Sequence, residues 1–136
     1  MEIDLALVAD AATIDGSGKL NILGVFDRID AQGFPARHGR ISLVLRFAGD
    51  LKDAGRHHMR ISLKAPSGEE VLGMEGALQL GPGPVSEGML IPHVINFDGV
   101  VFPAPGRYAF DVVIDGEHTV AVPLNVGSLR GPPAQA

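Results

Sequence analysis

The sequence predicts an all-β fold: a single-domain antiparallel β-sandwich of about eight strands and no substantial helix, with a closed barrel the main rival. Three observations carry this. Short apolar runs with period-2 alternation recur along the chain, and no segment keeps a helical period. The 18 glycines and 10 prolines stand as punctuation between those runs. With 46% hydrophobic and 20% charged residues over 136 positions, the chain has the apolar content for one packed core.

Taken in order, Ile3, Leu5, Leu7 and Ala9 alternate with Glu2, Asp4 and Asp10, which predicts an opening strand with one wet face. Asp15-Gly16-Ser17-Gly18 is a turn. Leu20 to Ile29 is apolar on both parities and reads as a central strand, or as one bulged at Gly24. After Phe34-Pro35, Ile41, Leu43, Leu45 and Phe47 face in while Arg40, Ser42 and Arg46 face out. Met59, Ile61, Leu63 and Ala65 then face in, with His58, Arg60, Ser62 and Lys64 out, and the short loop between 49 and 55 suggests a hairpin.

Pro66-Ser67-Gly68 turns the chain into a strand from about Glu70 to Leu80, with Leu72, Met74, Leu78 and Leu80 on one parity. Gly81-Pro82-Gly83-Pro84 reads as a surface loop. Pro92 places the Met89–Phe97 strand at an edge or a bulge. Tyr108, Phe110, Val112 and Ile114 mark the strongest strand, and Val120, Val122, Leu124 and Val126 return beside it after Asp115-Gly116. For Ile114 and His118 to share a face, that loop must hold an odd number of residues, which predicts a loop of three. The expected domain spans 1–126, followed by a frayed Gly/Pro-rich tail over 127–136.

Composition excludes several chemistries. There is no cysteine, hence no disulfide, thiol nucleophile or Cys-based zinc site. No G-x-S-x-G elbow and no phosphate loop before a helix is present, so no enzyme is expected. The five histidines form no His-x-His pair, and no aspartate run has the spacing of a dedicated calcium loop, so no cofactor or metal is expected. The lack of Trp and the single Tyr argue against a carbohydrate platform. Acidic residues occupy the opening where a signal peptide would carry Lys or Arg, and no apolar run spans a membrane; a cytoplasmic chain is expected.

The net charge of −5 is unevenly spread. Residues 37–64 hold seven basic side chains against Asp50 and Asp53, while acids dominate on both sides. If 40–47 and 58–65 pair, Arg40, Arg46, Arg60 and Lys64 share one outer face and form a candidate partner-binding stripe. The plainer reading is cross-strand neutralisation by acids such as Glu69 and Glu75, or by the acidic opening strand. Nucleic acid does not suit a chain of net −5 without interleaved aromatics.

The stretch Pro105-Gly106-Arg107-Tyr108-Ala109-Phe110-Asp111-Val112 resembles the Pro-Gly-x-Tyr strand start of bacterial immunoglobulin-like domains. That resemblance implies an inward tyrosine whose hydroxyl bonds backbone at the preceding corner. More broadly, the chain resembles a family of bacterial proteins known only as a domain of unknown function. The resemblance lies in Ala9–Thr13, Gly18–Asp27, Phe34–His38 and Val113–His118, and it implies a fold but no activity. The functional expectation is therefore a non-enzymatic interaction or assembly module, its partner another protein or itself. The alternative is a sandwich that binds a small ligand or metal through loops at one end.

Overall fold

Alternating burial builds the molecule. In the computed structural model, which describes residues 1–80 and 89–128 (the side chains of Met89 and His118 excepted), nine strands form two sheets. They are β1 (Glu2–Ile14), β2 (Leu20–Phe26), β3 (Arg28–Ala31), β4 (Ala36–Gly49), β5 (Gly55–Lys64), β6 (Glu70–Leu80), β7 (Met89–Phe102), β8 (Gly106–Ile114) and β9 (His118–Ser128). The one helical element among the described residues is a single 3-10 turn, Leu51–Asp53. The first sheet has the order β2-β1-β4-β7 and the second β3-β9-β8-β5-β6. All pairings are antiparallel except the short β3–β9 pair.

The core lies between the sheets. Ile41, Leu43, Leu45 and Phe47 of β4 meet Met59, Ile61 and Leu63 of β5 and Phe110, Val112 and Ile114 of β8, all buried. Ring contacts span the gap: Phe97 stacks on Phe110 at 5.3 Å, and Phe102 meets Tyr108 edge-on at 5.0 Å. Tyr108 is buried, and its hydroxyl donates to the Ala104 carbonyl at 2.6 Å, as the Pro-Gly-x-Tyr pattern implied. Ile114 pairs with His118, so the β8–β9 loop is the expected three residues, with Asp115 at φ 52° and Gly116 at φ 72°. Pro92 lies on β7, an edge strand.

Four expectations are corrected. Residues 40–47 and 58–65 do not pair: β4 and β5 belong to opposite sheets, and the chain crosses between them through the 3-10 turn. Leu20–Ile29 is not one central strand but two. β2 is an edge strand of the first sheet, β3 an edge strand of the second, and Asp27 lies between them. Gly24 makes no register shift; it takes φ 72° opposite Asp10, and a Cβ there would stand 2.4 Å from an Asp10 carboxylate oxygen.

The third correction concerns β1. Its register against β4 shifts between Ile3 and Leu5, so Ile3 stays with the core while Leu5, Leu7 and Ala9 turn outward and Ala6 and Val8 turn in. The fourth is the domain end: β9 continues through Ser128, where Gly127 and Ser128 pair with Asp30 and Ala31 of β3. Residues 129–136 and the Gly81–Pro84 stretch lie outside the described residues.

Candidate association face

The four cations of the expected stripe are separated by the topology. Arg46 binds Asp4 of the opening strand through two contacts of 3.0 Å, and Arg40 binds Asp98 of β7 at 2.6 and 3.1 Å. Both pairs sit on the first sheet. On the second sheet, Arg60 reaches Glu70 at 2.6 Å and Glu75 at 3.3 Å. Lys64 stands in register with Glu70, whose carboxylate already accepts from Arg60. Each arginine is thus neutralised beside its own strand, and the four cations form no common surface.

The polar candidates resolve into local roles. The Asp15 carboxylate accepts from the Ser17 hydroxyl at 2.6 Å and from the Ser17 and Lys19 N–H groups at 2.9 and 3.0 Å. The Ser17 hydroxyl first, then the Lys19 amide, lower its pKa to about 2. This is turn chemistry that leaves little of the carboxylate for a cation. Among the described residues, no three His, Asp or Glu side chains gather to hold a metal. His38 packs on the Phe26 ring, and His58 lies 4.0 Å from Glu75. His93, in register with the core residue Leu45, is half-buried, and burial lowers its pKa.

His57 has the most developed polar setting. Its Nδ1 lies 2.5 Å from Asp115 and its Nε2 2.6 Å from the Asp53 carbonyl. The Asp115 hydrogen bond, then the Asp53 carbonyl, raise its pKa. A His–Asp pair can serve as an oriented base, but here the second ring nitrogen is occupied by backbone and faces no nucleophile. A groove of about 630 Å³ between β6 and β7 has Val71, Leu72 and Phe97 in its walls, but its Glu70 and Asp98 carboxylates are bound by Arg60 and Arg40.

What remains is apolar and lies on the outside of the first sheet. Leu7, Val44 and Val94 stand side by side across β1, β4 and β7, on the parity opposite the core residues Val8 and Leu43. Val25 and Leu23 of β2 stand beside Ala9 and Ala11 and extend the same face. Val44 and Ala9 are completely buried, although they are not part of the core between the sheets. Leu23 is 73% exposed and Val25 62%, while Leu90 at the far edge is 53% exposed. The Arg46–Asp4 and Arg40–Asp98 pairs lie along β4 on either side of Val44 and of buried Ser42, whose hydroxyl donates to the Asn96 side-chain oxygen at 2.6 Å.

Sequence reasoning missed this face, although two signals pointed to it. Leu20–Ile29 was apolar on both parities, and β1 carried Ala6 and Val8 as well as Leu5 and Leu7. Both patterns mean a strand with two apolar faces, whichever sheet holds it.

Residues 4–127 match a family of unknown function, DUF6941, and the chain belongs to that family. The two-sheet all-β architecture is therefore that of a family with no assigned activity. No curated protein matches the chain.

Proposed function

We propose that this protein is a non-enzymatic association module that pairs with a second copy of itself through the outer face of the β2-β1-β4-β7 sheet. The observation that carries the reading is the row Leu7–Val44–Val94, extended by exposed Leu23 and Val25, on a face that the core does not use. Four strands spaced about 4.8 Å apart and about nine residues long present roughly 600 Å², of the order of the ~800 Å² per partner in a standard interface. Covering Leu23 and Val25 would contribute on the order of 3 kcal/mol per copy before association costs.

Charge favours a copy over a charged partner. The chain carries −5 overall, so most of its surface repels a second molecule. On this face, however, Arg40 and Arg46 are each matched by an aspartate of the same sheet. A neutral apolar surface suits a like surface in a twofold, face-to-face arrangement, with sheets crossing at about 30°. The tyrosine corner supports an immunoglobulin-like affiliation. The family resemblance supports a bacterial origin, and a cysteine-free composition suits the cytoplasm.

Light scattering after size exclusion tests the proposal. The wild type should run as a dimer that dissociates on dilution and is indifferent to salt. A Leu23→Lys/Val25→Glu variant should be monomeric with unchanged thermal unfolding when compared as monomers. A wild type that is monomeric at all concentrations contradicts the reading, and so does a dimer that the variant leaves intact.

A further inference from the structure

The His57 ring faces two groups that can only accept hydrogen bonds: the Asp115 carboxylate and the Asp53 carbonyl oxygen. Neutral imidazole carries one N–H and cannot satisfy both. At 2.5 and 2.6 Å, an unprotonated nitrogen would set a lone pair against an acceptor oxygen. The ring joins two segments otherwise distant in sequence, the β4–β5 connection that holds Asp53 and the β8–β9 hairpin that holds Asp115.

The two partners differ in what their other bonds tie them to. Asp115 is tied to β5 independently of the ring, because its Oδ1 accepts the His58 N–H at 2.8 Å and its own N–H donates to the His58 carbonyl at 2.8 Å. In the connection, the Asp53 carboxylate accepts from the Asp50 N–H at 2.9 Å and from the Met1 ammonium at 3.3 Å, which ties the 3-10 turn to itself and to the start of the chain but not to β5. The carboxylate is also the stronger acceptor for a single remaining imidazole N–H.

We infer that His57 is a proton-operated clasp: doubly protonated, it ties the β4–β5 connection to the β8–β9 hairpin, and on losing one proton it keeps the hairpin and releases the connection. Of the charged groups around it, Asp115 and Asp53 favour the doubly protonated ring. From the hairpin come Asp115 and Glu117, and from the connection Asp50, Lys52 and Asp53, the last also paired with the Met1 ammonium at 3.3 Å. Arg56 and His58 flank the ring on β5, and Glu75 approaches from β6 toward His58. The consequence is local: release separates the turn that carries exposed Leu51 from β5 and the hairpin, leaving it tied to Met1, while the core beneath stays closed.

The test is NMR of ¹⁵N-labelled protein across pH, reading the His57 ring nitrogens together with backbone amides. Both ring nitrogens should be protonated at about pH 6, and the ring's midpoint should lie above the ordinary value of about 6.5. Amides of 50–54 should shift and lose exchange protection with that same midpoint, while those of 115–117 hold. Asp115→Asn should lower the midpoint. His57→Gln, which cannot titrate, should leave the 50–54 amides without that transition. A ring already singly protonated at about pH 6 overturns the clasp. Connection amides that ignore the ring's midpoint, or a transition that survives in His57→Gln, overturn it equally.

Discussion

Tyr108 shows how one side chain fixes a corner. Its ring is buried against Phe102, and its hydroxyl both donates to the Ala104 carbonyl and accepts from the Ala104 N–H at 3.3 Å. Tyr108→Phe keeps the ring but leaves the Ala104 groups without that partner, and should cost about 1–3 kcal/mol in urea unfolding. His57 and His93 have opposite pH signatures. The His57 pKa is raised in the fold, so its stabilisation is complete below the unfolded value of about 6.5 and is lost as pH rises through the folded value. The His93 pKa is lowered by burial, so its contribution is present above about 6.5 and is lost as pH falls through the folded value. Urea unfolding at several pH values should show His57→Gln losing its deficit toward high pH. His93→Gln should lose its own difference from the wild type toward low pH.

At the scale of elements, the strands depend on registers that local pattern specifies unevenly. The β8–β9 hairpin was legible because Ile114 and His118 fix the parity on both sides of Asp115-Gly116. The edge position of β7 was legible from Pro92, which has no N–H to give a second neighbour. The crossing from β4 to β5 was not. A connection of five residues, Asp50 to Ala54, fits a hairpin as well as a step between sheets. The choice was made far away in sequence, where β1 and β7 take both edges of β4. The slip at Asp4 was also hidden, because one extra residue inverts the apparent core face of β1. Gly24 is where β2 tolerates least. Gly24→Ala places a Cβ against Asp10 in a positive-φ conformation and should cost about 1–3 kcal/mol. Comparing thermal unfolding of Gly24→Ala with that of Gly76→Ala, where a Cβ meets open space, isolates that effect.

Over the whole molecule, the stripe that the charge distribution suggested divides into separate ion pairs, and the association surface emerges as an apolar one. The basic segment of 37–64 is spread over both sheets, so its net charge never appears on one face. Arg60→Gln should accordingly leave the oligomeric state unchanged, as light scattering can show, because Arg60 lies on the opposite sheet. Association through a defined face also links folding to concentration: the melting temperature of the wild type should rise with protein concentration, and that of Leu23→Lys/Val25→Glu should not. The most direct measurement is an isotope-filtered NOE experiment on a mixture of ¹³C-labelled and unlabelled chains. Intermolecular NOEs to the methyl groups of Leu7, Leu23, Val25 and Val94 are the predicted result. Intermolecular contacts confined to the outer face of the β3-β9-β8-β5-β6 sheet, or none at concentrations where the dimer should dominate, would contradict the account.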